Sequence, residues 1–246
     1  MSPALLRRRH PTLTLALAAL TVALALSSAR AAPPRPSLPA EIPASERDRL
    51  QQVAETASVS TRAEGEPFVT RREIFEYLLD HPEFATHVTR ALRLARYRIW
   101  RGPEGLWLDD GWGATGQLSV VYAANGTRIM YARGVYKQWF LPTIHGQAVI
   151  VIEYGVHPNA DNRSLITTTV TGFVKLDSRL LELAGRLARA AATAKAEKEA
   201  RLLVKVFARA SRAIESDPAG VHALVSQRHD VPQRELEEFR QLLQLR

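Results

Sequence analysis

The 246-residue chain contains no cysteine. That excludes a disulfide framework, a thiolate metal site, a cysteine nucleophile and a lipidated N-terminal cysteine. Long apolar runs are also scarce, and the one at residues 13–26 falls short of the ~20 residues that span a bilayer. No His-Glu-x-x-His spacing occurs, and Ser119, Ser164, Ser178 and Ser211 lack the Gly-x-Ser-x-Gly context of a hydrolase nucleophile. His81 and His87 are separated by a proline, while His145 and His157 flank one strand-like run at opposite ends. His222 and His229 read as solvated tail residues. The expectation is no metal and no cofactor. An excess of one charge is lacking too, once the N-terminus is set aside. Taking Arg7, Arg8, Arg9 and Arg30 from the 33 basic residues leaves 29 against 25 acidic ones, about +4. No basic stripe with interleaved aromatics is evident, so nucleic acid is not expected as a partner.

What is present begins with an export signal. Arg7-Arg8-Arg9 precedes the apolar run, and Ala29-Arg30-Ala31 supplies a small-residue cleavage site before Ala32. Residues 1–31 are therefore expected to be removed from a periplasmic or secreted protein. Residues 32–56 read as a Pro-rich tether followed by a short helix capped by Ser45. At 46% hydrophobic and 24% charged, the remainder is ordinary for a chain that buries a core.

The pattern then divides. Residues 57–62 and 66–70 are extended, and Thr70-Arg71-Arg72-Glu73 has the form of a capping box opening a helix. Asp80-His81-Pro82 interrupts that helix, and a second piece follows to about residue 92. From residue 93 the period changes to two, with Leu94, Arg96, Arg98 and Trp100 opposite Ala95, Tyr97 and Ile99. Asn125-Gly126 between two alternating runs is a hairpin signal. Residues 147–154 form a nearly continuous apolar run, as expected of a central strand. About six strands are expected in all, mostly antiparallel because their connections are short.

A long helix follows over residues 177–217, capped by Asp177 or Ser178 and stopped by Asp217-Pro218. Its stripe runs through Leu180, Leu183, Ala184, Leu187, Ala191 and Ala194, then Leu202, Val206, Phe207, Ala210 and Ile214. At ~1.5 Å per residue it reaches ~60 Å and overhangs a small sheet, or breaks in the charged patch at residues 195–201. Its alanine-rich middle either packs closely or leaves room. Residues 218–246 form a tail of two short helices.

Phe68-Val69, followed by Glu73-Ile74-Phe75-Glu76-Tyr77-Leu78-Leu79-Asp80-His81-Pro82, resembles the opening of START-like proteins. These form the superfamily of polyketide cyclases and lipid-transfer domains, also called SRPBCC. The resemblance covers residues 58–217. It implies an α+β helix-grip domain over residues 57–217, in which a curved antiparallel sheet wraps a long C-terminal helix around a cavity. The side chains expected to line that cavity are Tyr97, Ile99, Trp107, Val121, Ile129 and Tyr131. Trp139, Ile150, Ile152, Glu153, Tyr154 and Val170 complete the set.

Such pockets are mostly apolar with a few placed polar groups. Glu153, ending an apolar run, faces either solvent or the cavity mouth, where Arg98, Arg133 and Lys137 could meet an anionic head group. Asp109-Asp110 before Gly111 reads as a turn. The Gly111–Gly116 segment leads into a strand, so it lacks the helix N-terminus of a phosphate loop. It reads instead as a loop near the entrance whose Trp112 suits transient contact with a membrane surface. Asn125-Gly126-Thr127 and Asn162-Arg163-Ser164 match the glycosylation pattern and carry no functional weight.

Three functions fit. The first is an exported, non-enzymatic carrier of a lipid or other hydrophobic small molecule. The second is a cyclase-type enzyme using Glu153 and Tyr154, or a pocket histidine, as acid–base groups. The third is an interaction protein docking a protein partner through its long helix and tail. In that case deletion of residues 219–246 would spare carriage and abolish docking.

Overall fold

A computed structural model describes residues 36–139, 141–159, 162–176 and 178–245, with the backbone alone described at 138, 141, 142 and 178–191. The expected export signal lies outside these residues, as does the proposed cap Asp177. Eight strands, rather than about six, form one antiparallel sheet. They are β1 (Val59–Glu64), β2 (Phe68–Thr70), β3 (Arg98–Gly102) and β4 (Gly105–Asp109). The longer ones are β5 (Ala114–Ala124), β6 (Thr127–Gln138), β7 (Leu141–Pro158) and β8 (Ser164–Leu176). The order across the sheet is β1-β8-β7-β6-β5-β4-β3, with β2 pairing the far end of β8. Helices α1 (Ala44–Glu55), α2 (Arg72–Asp80) and α3 (Pro82–Ala91) lie before β3. Helices α4 (Ser178–Ser216), α5 (Pro218–Ser226) and α6 (Gln233–Leu242) follow the sheet. The fold is α+β, an open antiparallel sheet gripping a long C-terminal helix.

Local chemistry explains most boundaries. Asn125 and Gly126 both have positive φ (49° and 71°), the geometry of a type I′ turn, and they close β5 onto β6. Pro82 breaks α2 from α3 and sits in the first turn of the latter. Helix α4 ends at Ser216, and Asp217 caps α5 by accepting from the Gly220 N–H at 2.8 Å. The charged patch at 195–201 does not break α4, which is one helix of 39 residues.

Two caps differ from expectation. Pro43, not Ser45, precedes α1. The capping box at Thr70 does not form, because the Thr70 hydroxyl donates instead to Glu215 Oε1 at 3.1 Å. The alternation over 93–97 is not a strand either. The Leu94 N–H donates to Thr89 O at 2.8 Å and the Arg93 N–H to Arg90 O at 3.1 Å, a Schellman end to α3 with Arg93 at φ 54°.

The sheet has two apolar faces. On one, Ala63, Phe68, Leu118, Met130, Ile152 and Val170 pack against Ala200, Val204 and Ala208 of α4, with Phe75 and Leu79 of α2. On the other, Ile129, Tyr131, Val149, Val151 and Phe173 are covered by Leu50 and Val53 of α1 and by Ile42 ahead of it. Ile42 is only 2% exposed, so the later part of the expected tether is core. A third cluster joins Ile74, Phe84 and Val88 to Ile214, Val225 and Phe239. The tail is therefore packed on α2, α3 and the end of α4, with the Phe84 and Phe239 rings 5.0 Å apart. His222 is half-buried and stacked on Phe239, not solvated, whereas His229 is exposed. Deleting residues 219–246 would strip this cluster and would not test carriage alone.

Glycines pair across three strands, Gly116 opposite Gly134 and Gly134 opposite Gly146. A Cβ on Gly116 would lie 2.7 Å from the Gly134 Cα, so the strands approach too closely there for any side chain. Beyond this row the end of β6 and the start of β7 continue as a hairpin.

Glu215 ties the end of α4 to the start of α2. Its carboxylate accepts from the Arg71 N–H at 2.8 Å and from Thr70, and pairs with Arg71 and Arg163 at 3.4 Å each. Burial opposes its charge, but the Arg71 N–H, the Thr70 hydroxyl and the Arg71 guanidinium outweigh burial and hold the carboxyl below its ordinary 4.5. A depressed carboxylate stabilises the fold above its unfolded value and loses that contribution as pH falls through the folded one. Glu215→Gln should therefore cost about 1.5 kcal/mol at neutral pH. Urea unfolding should show the gap between parent and variant closing below pH 4.5. A gap independent of pH would mean that the charge of Glu215 does not matter.

Candidate functional site

The groove between sheet and helix is filled where the helix is thinnest. Ala200, Val204 and Ala208 are 6%, 5% and 3% exposed, and Phe207 meets Phe75 edge-on at 5.9 Å. Small side chains here bring the helix close to the sheet. Toward the N-terminal side of the helix, between Ala194 and Leu202, an open cleft of about 950 Å³ appears. Its walls are the segment after α3 (Leu94, Ala95, Tyr97), the β4–β5 turn with Trp112, Tyr136 of β6, and Ala194 and Leu202 of α4.

Polar bonds fix these walls in place. The Asp110 carboxylate, buried at 6% exposure, accepts from the Trp112 and Ala114 N–H groups at 2.7 and 2.9 Å, which shapes the turn. Its other oxygen accepts from Lys195 Nζ at 2.9 Å, which locks that turn to α4. Lys195 also reaches Glu199 at 3.4 Å and lies 5.8 Å from the centre of the Tyr136 ring. The Tyr97 hydroxyl donates to Glu199. Burial disfavours the charge on Lys195, but the hydrogen bond and attraction of Asp110, with Glu199, outweigh it and raise its pKa. Burial, reinforced by Glu199, pushes the Tyr97 hydroxyl up as well. Both groups are thus driven away from neutral pH, contrary to what general acid–base work asks.

The rim is cationic. Among the described residues Arg90, Arg93, Arg96, Lys195, Lys198 and Arg228 border the cleft, against Asp110 and Glu199. Arg90 and Arg228 are held by Asp230 at 3.0 and 3.1 Å, where the loop between α5 and α6 docks on α3. The Arg96 guanidinium lies 5.0 Å from the centre of the Trp112 ring.

The cavity-lining expectation is redistributed by this geometry. Tyr97 borders the cleft. Ile99, Ile152, Tyr154 and Val170 are buried in the core beneath α4, and Ile150 is half-buried against it. Ile129 and Tyr131 lie on the opposite face under α1, because neighbouring strand residues alternate sides. Val121 joins them by the same alternation, since Val120 faces α4, and a bulge between Val120 and Tyr122 brings Tyr122 to that side as well. Trp107 is half-buried in β4, opposite Trp100 in register and out of phase with the inward Leu106. Trp139 stands in the β6–β7 turn, 93% exposed.

Glu153 is exposed, 3.8 Å from Arg62, and faces away from its neighbour Tyr154. The two do not form an acid–base pair. The Tyr154 hydroxyl instead donates to Glu76 at 2.8 Å and is pushed up to about 12, mainly by burial. Its ring neighbours Arg128, which is bound by Asp80 at 2.6 and 3.1 Å. Arg98 lies over Trp100, Arg133 bonds Gln117, and Lys137 is exposed; none of the three borders the cleft.

Sequence reasoning missed Lys195, Glu199, Arg93, Arg96 and Lys198 as site residues, and it read Asp110 as a turn residue only. The Lys195/Glu199 pair at helical spacing was a visible signal, but nothing local pointed it at Asp110. Among the described residues no three His, Asp or Glu side chains converge as a metal site would require.

No protein-family model matches the chain. No curated protein matches it either. Among solved structures, a truncated norcoclaurine synthase from Thalictrum flavum is similar at 16% identity and a TM-score of 0.27, covering 56% of this chain and 91% of that one. The same enzyme in complex with dopamine and hydroxybenzaldehyde is similar at 14% identity and a TM-score of 0.27, covering 58% and 87%. Likeness at this level carries no argument about the cleft.

Asp110→Ala should release the β4–β5 turn. Hydrogen exchange at the Trp112 and Ala114 amides should accelerate roughly tenfold, with β7 amides unchanged. Unaltered exchange at both would show that backbone bonds alone hold the turn.

Proposed function

We propose that the protein is an exported, non-enzymatic carrier that holds a lipid or similar hydrophobic molecule in the cleft beside residues 194–202 of α4. The observation that carries this reading is the cleft itself. About 950 Å³ between sheet and helix, walled by Leu94, Trp112, Tyr136 and Leu202, suits a ligand of lipid size. Burying apolar ligand surface there would contribute ~25 cal/mol per Å². The resemblance of residues 68–82 to START-like proteins supports the same class. The locked Lys195 and Tyr97 favour carriage over cyclase chemistry. The apolar side of the tail, used up against α2 and α3, favours it over docking to a protein partner.

Loading would take place at a membrane surface. Trp112 (53% exposed) and Trp139 (93% exposed) lie in turns at one end of the sheet, where the Lys137 N–H donates to Gly113 O at 2.9 Å. Tryptophans at such tips suit the polar–apolar boundary of a bilayer.

The test is native mass spectrometry of the chain purified from its own compartment, then lipid analysis after organic extraction. A stoichiometric apolar adduct is expected. Leu202→Trp, which fills the cleft from the helix side, should cut uptake of a fluorescent fatty acid at least about tenfold with the fold intact. A clean apo mass, with no uptake of fatty acid or phospholipid, would remove the carrier reading.

A further inference from the structure

We propose that the cleft selects an amphiphile bearing a single anionic group (a carboxylate, phosphate or sulfate on an apolar body) and that Arg93, Arg96 and Lys198 take that group. This rests on the carrier reading and adds the ligand's chemistry to it. Most of the charges at the rim are already used. Asp110 is spent on Lys195 and two backbone N–H groups, and Glu199 on Tyr97 and Lys195. Asp230 is shared by Arg90, Arg228 and His87. That leaves Arg93, Arg96 and Lys198 on the lining with no carboxylate partner among the described residues. They come from two walls of the cleft, the segment after α3 and helix α4.

Arg93 occupies the left-handed position that ends α3, at φ 54°, where glycine is the residue the backbone prefers. An arginine there runs against local preference, and the residue borders the cleft. The neighbouring walls are apolar, with Leu94 and Ala95 on one side and Ala194 and Leu202 on the other. An ionic group at the rim with an apolar body along these walls satisfies both. A nucleotide fits less well, because Arg96 already lies against the Trp112 ring and Lys195 near the Tyr136 ring, where a base would stack.

Isothermal titration of the full chain with dodecanoate, dodecanol, inorganic phosphate and AMP separates the possibilities. Dodecanoate should bind at least about tenfold more tightly than dodecanol at low salt, and the preference should shrink as salt is raised. Arg93→Gly relieves the left-handed backbone, so it should leave the melting temperature unchanged or higher while weakening dodecanoate and sparing dodecanol. Lys198→Gln, exposed and away from the core, should act in the same direction. Equal affinity for dodecanoate and dodecanol would overturn anion selection and leave the carrier standing. Phosphate or AMP binding as tightly as dodecanoate would overturn the amphiphile. No binding by either dodecyl compound would remove the carrier reading, and this inference with it.

Discussion

Strand β7 buries side chains on both of its faces, and the rest of the molecule is arranged to cover them. Val149 and Val151 point to one side, Ile152 and Tyr154 to the other, all under 9% exposed. Fully burying an aliphatic side chain contributes about 1.5–3 kcal/mol. A face of five such residues left in water would therefore forfeit on the order of 10 kcal/mol, comparable to the whole stability of a domain. Neither face can be left open. Helix α4 and α2 cover one, while α1 and the proline-rich segment before it cover the other. That is why Ile42 is buried within a stretch whose composition reads as a tether.

The same alternation separates what local sequence reveals from what it conceals. Asn125-Gly126, Pro82 and Pro218 act through their own backbone preferences, and each punctuates the chain where its chemistry demands. Thr70 had equal local merit as a cap, but it lies against Glu215, 145 residues away, and a long-range carboxylate displaced the local bond. Period-two patterning over 93–97 comes from a helix end and a turn rather than a strand, because Arg93 tolerates a conformation the pattern does not report. Tyr122 is the plainest case. A bulge after Val120 moves it to the face of Ile129 and Val121, and an irregularity of one residue leaves no mark in hydrophobic periodicity.

The cleft was less legible than the fold because no single stretch of chain encodes it. Its walls come from the end of α3 and the segment after it, the β4–β5 turn, Tyr136 of β6 and the middle of α4, with Arg228 added by the tail. What the sequence did display was a mismatch of length. A helix of 39 residues spans ~58 Å, whereas the thirteen residues of β8 cover ~43 Å. Where small residues meet the sheet the two pack solidly, and the groove opens toward the N-terminal side of the helix, between Ala194 and Leu202. Apolar interior and functional space are thus sequential along one helix.

Charge placement follows from that division. In the packed part, ionisable groups are paired, as with Arg128 and Asp80 or Glu215 and Arg71. An unpaired buried ion would cost several kcal/mol. At the rim of the cleft Arg93, Arg96 and Lys198 are exposed, so an uncompensated cation is tolerated, and an exposed ion pair contributes only about 0–1 kcal/mol. Stability therefore gives little reason to place Arg93, Arg96 and Lys198 around one hollow, and at Arg93 the backbone argues against it. Lys195 marks the boundary between the two regimes. Bound to Asp110 and Glu199, it serves as a strut. A turn further along the rim, Lys198 has the same charge and no such duty, and that contrast between two lysines on one helix separates architecture from recognition.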